Sequence, residues 1–273
     1  MDTIKSLGIK GLYKFKTFDQ NNYYQDILKN ILYFPSVSQL NDPFDCAIPI
    51  RYDLCSKQEI FKICNATNSH YYPSANRSIR RKETIEQARK LRQEIRQTPD
   101  IVYTRINNYV ENNLGVFALT EELKNLLLWA HYTDAHKGFC IEFDAQMLRN
   151  MLINGFIYVN KRALLLKINY ENEFPLIHPT RNSTDDRARL QLGTKSKDWS
   201  YEREWRIIHL DGSRCKEPVP PVIIKRIYFG MLASEENIKT SVEILNKFNP
   251  KIEMFKATKK KLEFGLDFEP LRM

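Results

Sequence analysis

VFALTEELKNLLLWAHYTDAHKGFCIEFD, from Val116 to Asp144, packs a strand, a helix and a second strand into consecutive, densely apolar sequence. VFALT is β-branched and aromatic, Thr120 is the expected helix cap, and Glu121 and Glu122 set carboxylates at the positive N-terminal end of that helix. On a helical wheel Leu123, Leu127 and Ala130 fall together, while Asn125, Trp129, Tyr132 and His136 line up roughly opposite, so both faces are expected to be occupied. Lys137-Gly138 then breaks the helix. GFCIEFD alternates Phe139, Ile141 and Phe143 against Cys140, Glu142 and Asp144, which predicts a strand with one side in the core and the other towards a cleft.

Working outward, GLYKFK (11–16) reads as a first strand, followed by a helix around Tyr23 to Lys29 and a second strand, ILYFP. LNDPFD is a turn, because Pro43 pushes Asp42 out of the helical region and Asn41 and Asp45 satisfy nearby backbone groups. From 56 to 113 the sequence turns polar, basic and helical, with Ile85, Ala88, Leu91 and Ile95 at helical intervals before Thr98-Pro99, and is expected to be a helical basic insertion. Beyond the anchor, LLLKINYENEF gives a strand, and HPTRNSTDDRARL shows no regular pattern. KSKDWSYEREWRIIHL predicts a strand that puts Glu202, Glu204, Arg206 and Ile208 on one face. VIIKRIYFG, a capped helix from SEENIKTSVEILNKF with Ile238, Val242 and Leu245 inward, KIEMFKA and KLEFGLDF complete a strand, helix, strand, strand ending. The expectation is one α+β domain over 1–273 with a split, mostly antiparallel sheet, flanking helices and the basic helical insertion.

The chain has 273 residues, 42% of them apolar, enough for an ordinary packed interior. It has no long apolar run and no hydrophobic leader, so a cytoplasmic protein without a membrane partner is expected. Cys46, Cys55, Cys64, Cys140 and Cys215 lack C-x-x-C spacing and read as reduced thiols. The net charge of +9 makes a polyanion a plausible partner; between Arg77 and Arg105, nine Lys or Arg face four Asp or Glu. Arg80, Arg81, Arg89, Arg92 and Arg96 are therefore the candidate nucleic-acid contacts, with a merely solvated helix face as the alternative.

Two carboxylates side by side on a strand raise each other's proton affinity and suit acid–base or cation-stabilising work, which makes Glu204 and Glu202 the catalytic candidates; an exposed strand of alternating charge is the plainer reading. Trp129, Tyr132 and His136 offer a wall for a flat ring, or else a buried aromatic cluster. His131 and His136, five apart, are a poor metal pair, and no metal site is expected. There is no G-x-S-x-G, no GxGxxG opening a helix and no Walker loop.

The combination of NDPFD, W-x-H-Y-x-x-x-H-x-G-F-x-I-E-F-D and W-x-x-E-x-E-W-R, with LYKF at the start and RIYFG late, resembles the bacterial domain-of-unknown-function family 2971 over most of the chain, with 56–113 as a variable insertion. A more distant resemblance is to ADP-ribosyltransferases, whose split sheet carries a polar residue on a first strand, a hydroxyl ending a middle strand and a late glutamate strand. Here those are Lys14 with Tyr13, Thr120, and Glu202 with Glu204; Lys stands where Arg or His is usual, and Thr120 replaces a serine. That resemblance implies NAD as substrate, with a glutamate stabilising an oxocarbenium-like ribose. It places Tyr13, Lys14 and Thr120 as candidate NAD-binding residues, to which the ring wall of Trp129, Tyr132 and His136 and the turn residue Asn41 are added. The acceptor would be a nucleic acid, a protein or water, in a toxin or phage-defence setting. A non-enzymatic nucleic-acid-binding or defence-associated module is the alternative.

Overall fold

A computed structural model of the chain describes residues 7–97, 110–153, 163–210 and 212–271, so the predicted helix stop at Thr98-Pro99 lies outside the described residues. The chain forms two compact units: Met1–Gln39 with Asn113–Ile168 and Asp198–Met273, and Leu40–Asn112 with Asn169–Lys197.

The first unit is α+β. It contains β1 (Gly11–Lys16), α1 (Tyr24–Leu28), β2 (Ile31–Phe34), β3 (Gly115–Thr120), α4 (Leu126–Tyr132), β4 (Phe139–Asp144), α5 (Ala145–Ile153), β5 (Ala163–Lys167), β8 (Glu204–His209), β9 (Cys215–Pro218), β10 (Ile224–Phe229), α7 (Glu235–Phe248), β11 (Glu253–Lys259) and β12 (Leu266–Pro270). One eight-stranded sheet runs β12-β11-β10-β4-β1-β3-β8-β5, and β2 pairs with β9 apart from it. Every neighbouring pair in the large sheet is antiparallel except β10–β11. The large sheet is continuous rather than split, but it narrows to a pinch at its middle: β1 and β3 share a single register pair, Tyr13↔Thr120, whereas β1 and β4 are paired from Gly11 to Lys16.

Strand alternation decides the two faces. Phe139, Ile141 and Phe143 join Leu12, Phe117, Trp205 and Ile207 in the main core, closed by α1, α5 and the inward stripe Ile238, Val242, Leu245 of α7. Cys140 points the other way, into a second cluster with Phe15, Leu128, Trp129 and Tyr228, so α4 covers the opposite face.

The anchor stretch departs from expectation at its helix. Thr120 ends β3 instead of capping, and the cap is Asn125, whose Oδ1 accepts from the Leu127 N–H at 2.9 Å. Helix phase shifts with it: Leu128 and Trp129 are buried and Leu127 is 49% exposed. The helix ends at Tyr132, because Asp134, Ala135 and His136 are all left-handed, with φ of 49°, 53° and 68°. Gly138 closes this reversal, donating to the Thr133 carbonyl at 2.7 Å, and a Cβ there would sit 2.1 Å from the Lys16 carbonyl oxygen.

A second correction concerns Glu202. Residues 197–202 form a 3-10 turn, Arg203 is left-handed at φ 44°, and the strand starts only at Glu204. The two carboxylates do not share a strand face.

The second unit holds α2 (Lys57–Tyr71), α3 (Arg77–Gln97), β6 (Asn169–Glu171), α6 (Thr184–Leu192) and β7 (Thr194–Ser196), with β6 and β7 parallel. Ser56 caps α2 through a capping box with Glu59. On α3 the inward position belongs to Thr84 rather than Ile85: Thr84 accepts from Asn68 Nδ2 at 3.1 Å, and Ile85 is 54% exposed. The patternless HPTRNSTDDRARL holds α6, whose signal is the box formed by Ser183 and Asp186. Among the described residues no helix is long and apolar enough to cross a membrane.

Candidate functional site

A row of polar side chains crosses the α4-covered face of the sheet in register. Arg226 on β10 pairs with Glu142 on β4, Glu142 with Tyr13 on β1, Tyr13 with Thr120 on β3, and Thr120 with Glu204 on β8. Directly paired residues of antiparallel strands project to the same side, so five strands deliver one line of hydroxyls, carboxylates and a guanidinium. The pinch lies at its centre.

Two tight pairs lie towards the ends of the row. Glu204 takes two bonds from Arg206, Nε to Oε1 at 2.6 Å and NH2 to Oε2 at 3.1 Å, and both side chains are buried. Glu142 accepts from the Tyr228 hydroxyl at 2.6 Å and from Arg226 at 3.2 Å. Burial, with the Glu142 charge beside it, pushes the Tyr13 phenol up to about 12, so it is a donor throughout the physiological range.

Next to the pinch sits Glu202. The Tyr132 hydroxyl donates to its Oε1, and the Thr120 hydroxyl donates to its main-chain carbonyl at 2.5 Å while accepting from the Glu122 N–H at 2.9 Å. Asn125 Nδ2 donates to the Tyr201 carbonyl at 3.1 Å, tying the start of α4 to the same turn. The turn is locked from outside by Arg203, which bonds Glu121 at 2.5 Å and Glu122 at 2.6 Å. Burial pushes the Glu121 carboxyl up, but bonds from Lys167 and from the Trp205 indole outweigh it and hold the group below the usual range. Thr120 thus fixes the main chain at Glu202.

The structure gathers Tyr13, Thr120, Tyr132, Glu202 and Glu204 around the pinch. Lys14 lies on the opposite sheet face, its ammonium 5.0 Å from the Phe117 ring centroid. Trp129 is fully buried, edge-on to Phe15 and bonded through Nε1 to the Leu123 carbonyl at 2.7 Å, which makes it core rather than a ligand wall. His136 is not on a helical stripe with Tyr132; the left-handed reversal folds it back to stack on Trp129, rings 7° from parallel. Asn41 belongs to the second unit. Sequence reading missed Glu142 and Tyr228, whose signal was a polar residue inside each of two apolar strands, IEF and IYF.

The candidate arginines all lie on α3. Arg80 spends its NH2 on the carbonyls of Pro73 and Ala75, at 3.0 and 2.9 Å, and so holds the turn into the helix. Arg89, Arg92 and Arg96 line a recess of about 320 Å³ together with Lys57, Gln93 and Gln97.

Residues 128–207 match a family described as a protein of unknown function (DUF2971). That segment runs from Leu128 of α4 to Ile207 of β8, and contains Tyr132, Glu202 and Glu204, whereas Tyr13 and Thr120 lie outside it. No curated protein and no solved structure matches the chain.

Proposed function

We propose that this protein cleaves NAD at the nicotinamide–ribose bond, passing the ADP-ribosyl group to water or to an acceptor, with Glu202 and Glu204 as the carboxylates of the site. The observation that carries this reading is the registered line Tyr13–Thr120–Glu204 across β1, β3 and β8, with Glu202 held beside it by Tyr132. A first-strand polar residue, a hydroxyl at the end of a middle strand and glutamates on a later segment meet at one point of the sheet.

The division of labour follows from the charges. Glu204 is neutralised by Arg206, so its part is to fix the start of β8. Glu202 is the carboxylate that accepts from the Tyr132 hydroxyl. As the C1′–N bond breaks, nicotinamide departs with the bonding pair and the ribose gains cationic character, which a preorganised carboxylate stabilises more than it stabilises bound NAD. Water or another nucleophile then bonds C1′ and loses its proton. Tyr132, which bonds Glu202, and Tyr201, which precedes it, are both partly exposed.

The test is nicotinamide release from NAD by the purified chain, against Glu202→Gln. Release by the wild type and loss of about a hundredfold or more in the variant, with unchanged melting, is expected. Neither turnover nor saturable NAD binding by the wild type overturns the reading. The recess of cationic side chains on α3 favours a second reading, in which the second unit contacts nucleic-acid phosphates without turnover.

A further inference from the structure

The second unit brings together a sulfur, a nitrogen and an oxygen donor. A parallel bridge between Ile50 and Ile177, with the Arg51 N–H on the Ile177 carbonyl at 2.8 Å, lays the segment after Ile177 against the chain entering α2. His178, 1% exposed, thereby faces Cys55, just before the Ser56 cap, and Glu59 in the first turn of α2. His178 Nε2 is 4.0 Å from Cys55 Sγ and 4.0 Å from Glu59 Oε1, and the three donor atoms lie within 4.8 Å of one another.

That spacing is the telling quantity. It is too long for an N–H···O bond, which closes at about 2.7–3.2 Å. It is only slightly wider than the separation of two ligands on a tetrahedral ion with bonds of about 2.0–2.3 Å. The donors are also fixed from behind. Glu59 Oε2 accepts from the Ser56 N–H at 2.8 Å, and Oε1 from the Thr180 hydroxyl at 3.0 Å. The same hydroxyl lies 3.3 Å from His178 Nδ1, so Nδ1–H can donate to Thr180 and leave the Nε2 lone pair towards the gap; the Thr180 N–H, also at 3.3 Å, favours the opposite tautomer, and an ion would select between them. Arg181 Nε, 3.8 Å from Glu59 Oε1, is on a side chain 72% exposed and free to swing into solvent.

We propose that Cys55, Glu59 and His178 bind one Zn²⁺-class ion, with a fourth position left for water or a ligand. A thiolate, an imidazole and a carboxylate suit zinc or cobalt and do not suit magnesium or calcium. The C-x₃-E spacing with a distant histidine falls outside familiar zinc patterns, and the expectation of no metal rests instead on the missing C-x-x-C spacing and the poor His131–His136 pair. This site is independent of the NAD reading.

The experiment titrates the chelator-treated full chain with Co²⁺, following the thiolate-to-cobalt charge-transfer absorption. One equivalent should produce the band. Cys55→Ser should abolish it, and Cys215→Ser should leave it, which matters because His209, Cys215 and Glu217 form a second cluster within 4.8 Å. In that cluster His209 Nε2 and Glu217 Oε1 are already in direct contact at 3.1 Å. Glu59→Gln retains a residue suited to the capping box and should weaken Co²⁺ binding about tenfold or more. Absence of the band in the wild type overturns the proposal, as does loss in Cys215→Ser with retention in Cys55→Ser. Should Cys55→Ser fail to fold, unchanged affinity in Glu59→Gln overturns it equally.

Discussion

Glu204 and Arg206, two residues apart on β8, grip each other in a bidentate ion pair on one face of the sheet, with the guanidinium wholly out of solvent. Removing one partner of such a buried pair costs about 3–5 kcal/mol. Glu204→Gln is therefore expected to lower the melting temperature markedly, and Glu204→Leu more so, since the amide still offers Arg206 an acceptor. Glu202→Gln keeps an acceptor for the Tyr132 hydroxyl and leaves Arg206 paired, so its melting should stay near wild type. Thermal melts of the three variants check this; equal melting of wild type and Glu204→Leu contradicts the role assigned to the pair.

Much of the first unit is legible because apolar alternation states it directly: Phe139, Ile141 and Phe143 against Cys140 and Glu142, and Ile238, Val242 and Leu245 on a capped helix. The losses come from backbone conformation that side-chain periodicity does not encode. Arg203 and His136 sit at positive φ without being glycine, and each turns a neighbouring polar residue off the path that a regular strand or helix predicts. Around Asn125 a one-turn delay in helix start exchanged Leu127 for Leu128 as the buried residue. The registered row was visible only as separate polar residues, because strand order sets which of them meet.

His136 supplies a pH prediction. Its ring stacks on Trp129, its Nδ1 is buried with no hydrogen-bond partner among the described residues, and burial pushes its pKa below the ordinary 6.5. The unfolded chain then binds the proton more readily, so the stability at stake is complete above 6.5 and is lost as pH falls through the lower folded value. His136→Asn, which tolerates the left-handed backbone, should flatten the fall in melting temperature between about pH 7 and pH 5. An unchanged slope would assign that fall to other groups.

Gly138 is expected to be intolerant of any side chain. A methyl group would meet the Lys16 carbonyl oxygen at 2.1 Å and the Thr133 Cβ at 3.0 Å, and the carbonyl belongs to the end of β1, which cannot move without opening its pairing with β4. Gly138→Ala should cost about 1–3 kcal/mol or more by overpacking, read as a shift in the denaturant midpoint. Gly212→Ala is the control, because its nearest new contact, the Cys215 sulfur, is 3.8 Å away.

The arginines of α3 divide into two groups whose reversal should have opposite effects. Arg80 carries the carbonyls of Pro73 and Ala75, so Arg80→Glu should destabilise the α2–α3 turn, by about 1–3 kcal/mol for the unsatisfied acceptors. Arg89, Arg92 and Arg96 surround the recess with Lys57, and among the described residues Arg92 Nε alone of their guanidinium nitrogens bonds a helix carbonyl, that of Ala88 at 3.2 Å. Their combined reversal to Glu should leave melting within a few degrees of wild type, since exposed substitutions are worth roughly 0.5 kcal/mol or less each. If the recess takes phosphates, the triple variant should bind single- or double-stranded oligonucleotides more weakly and with a shallower dependence on salt, each lost contact removing close to one unit from the slope. Equal affinity and an equal salt slope in wild type and variant would confine this face to solvation and leave the second unit without a nucleic-acid role.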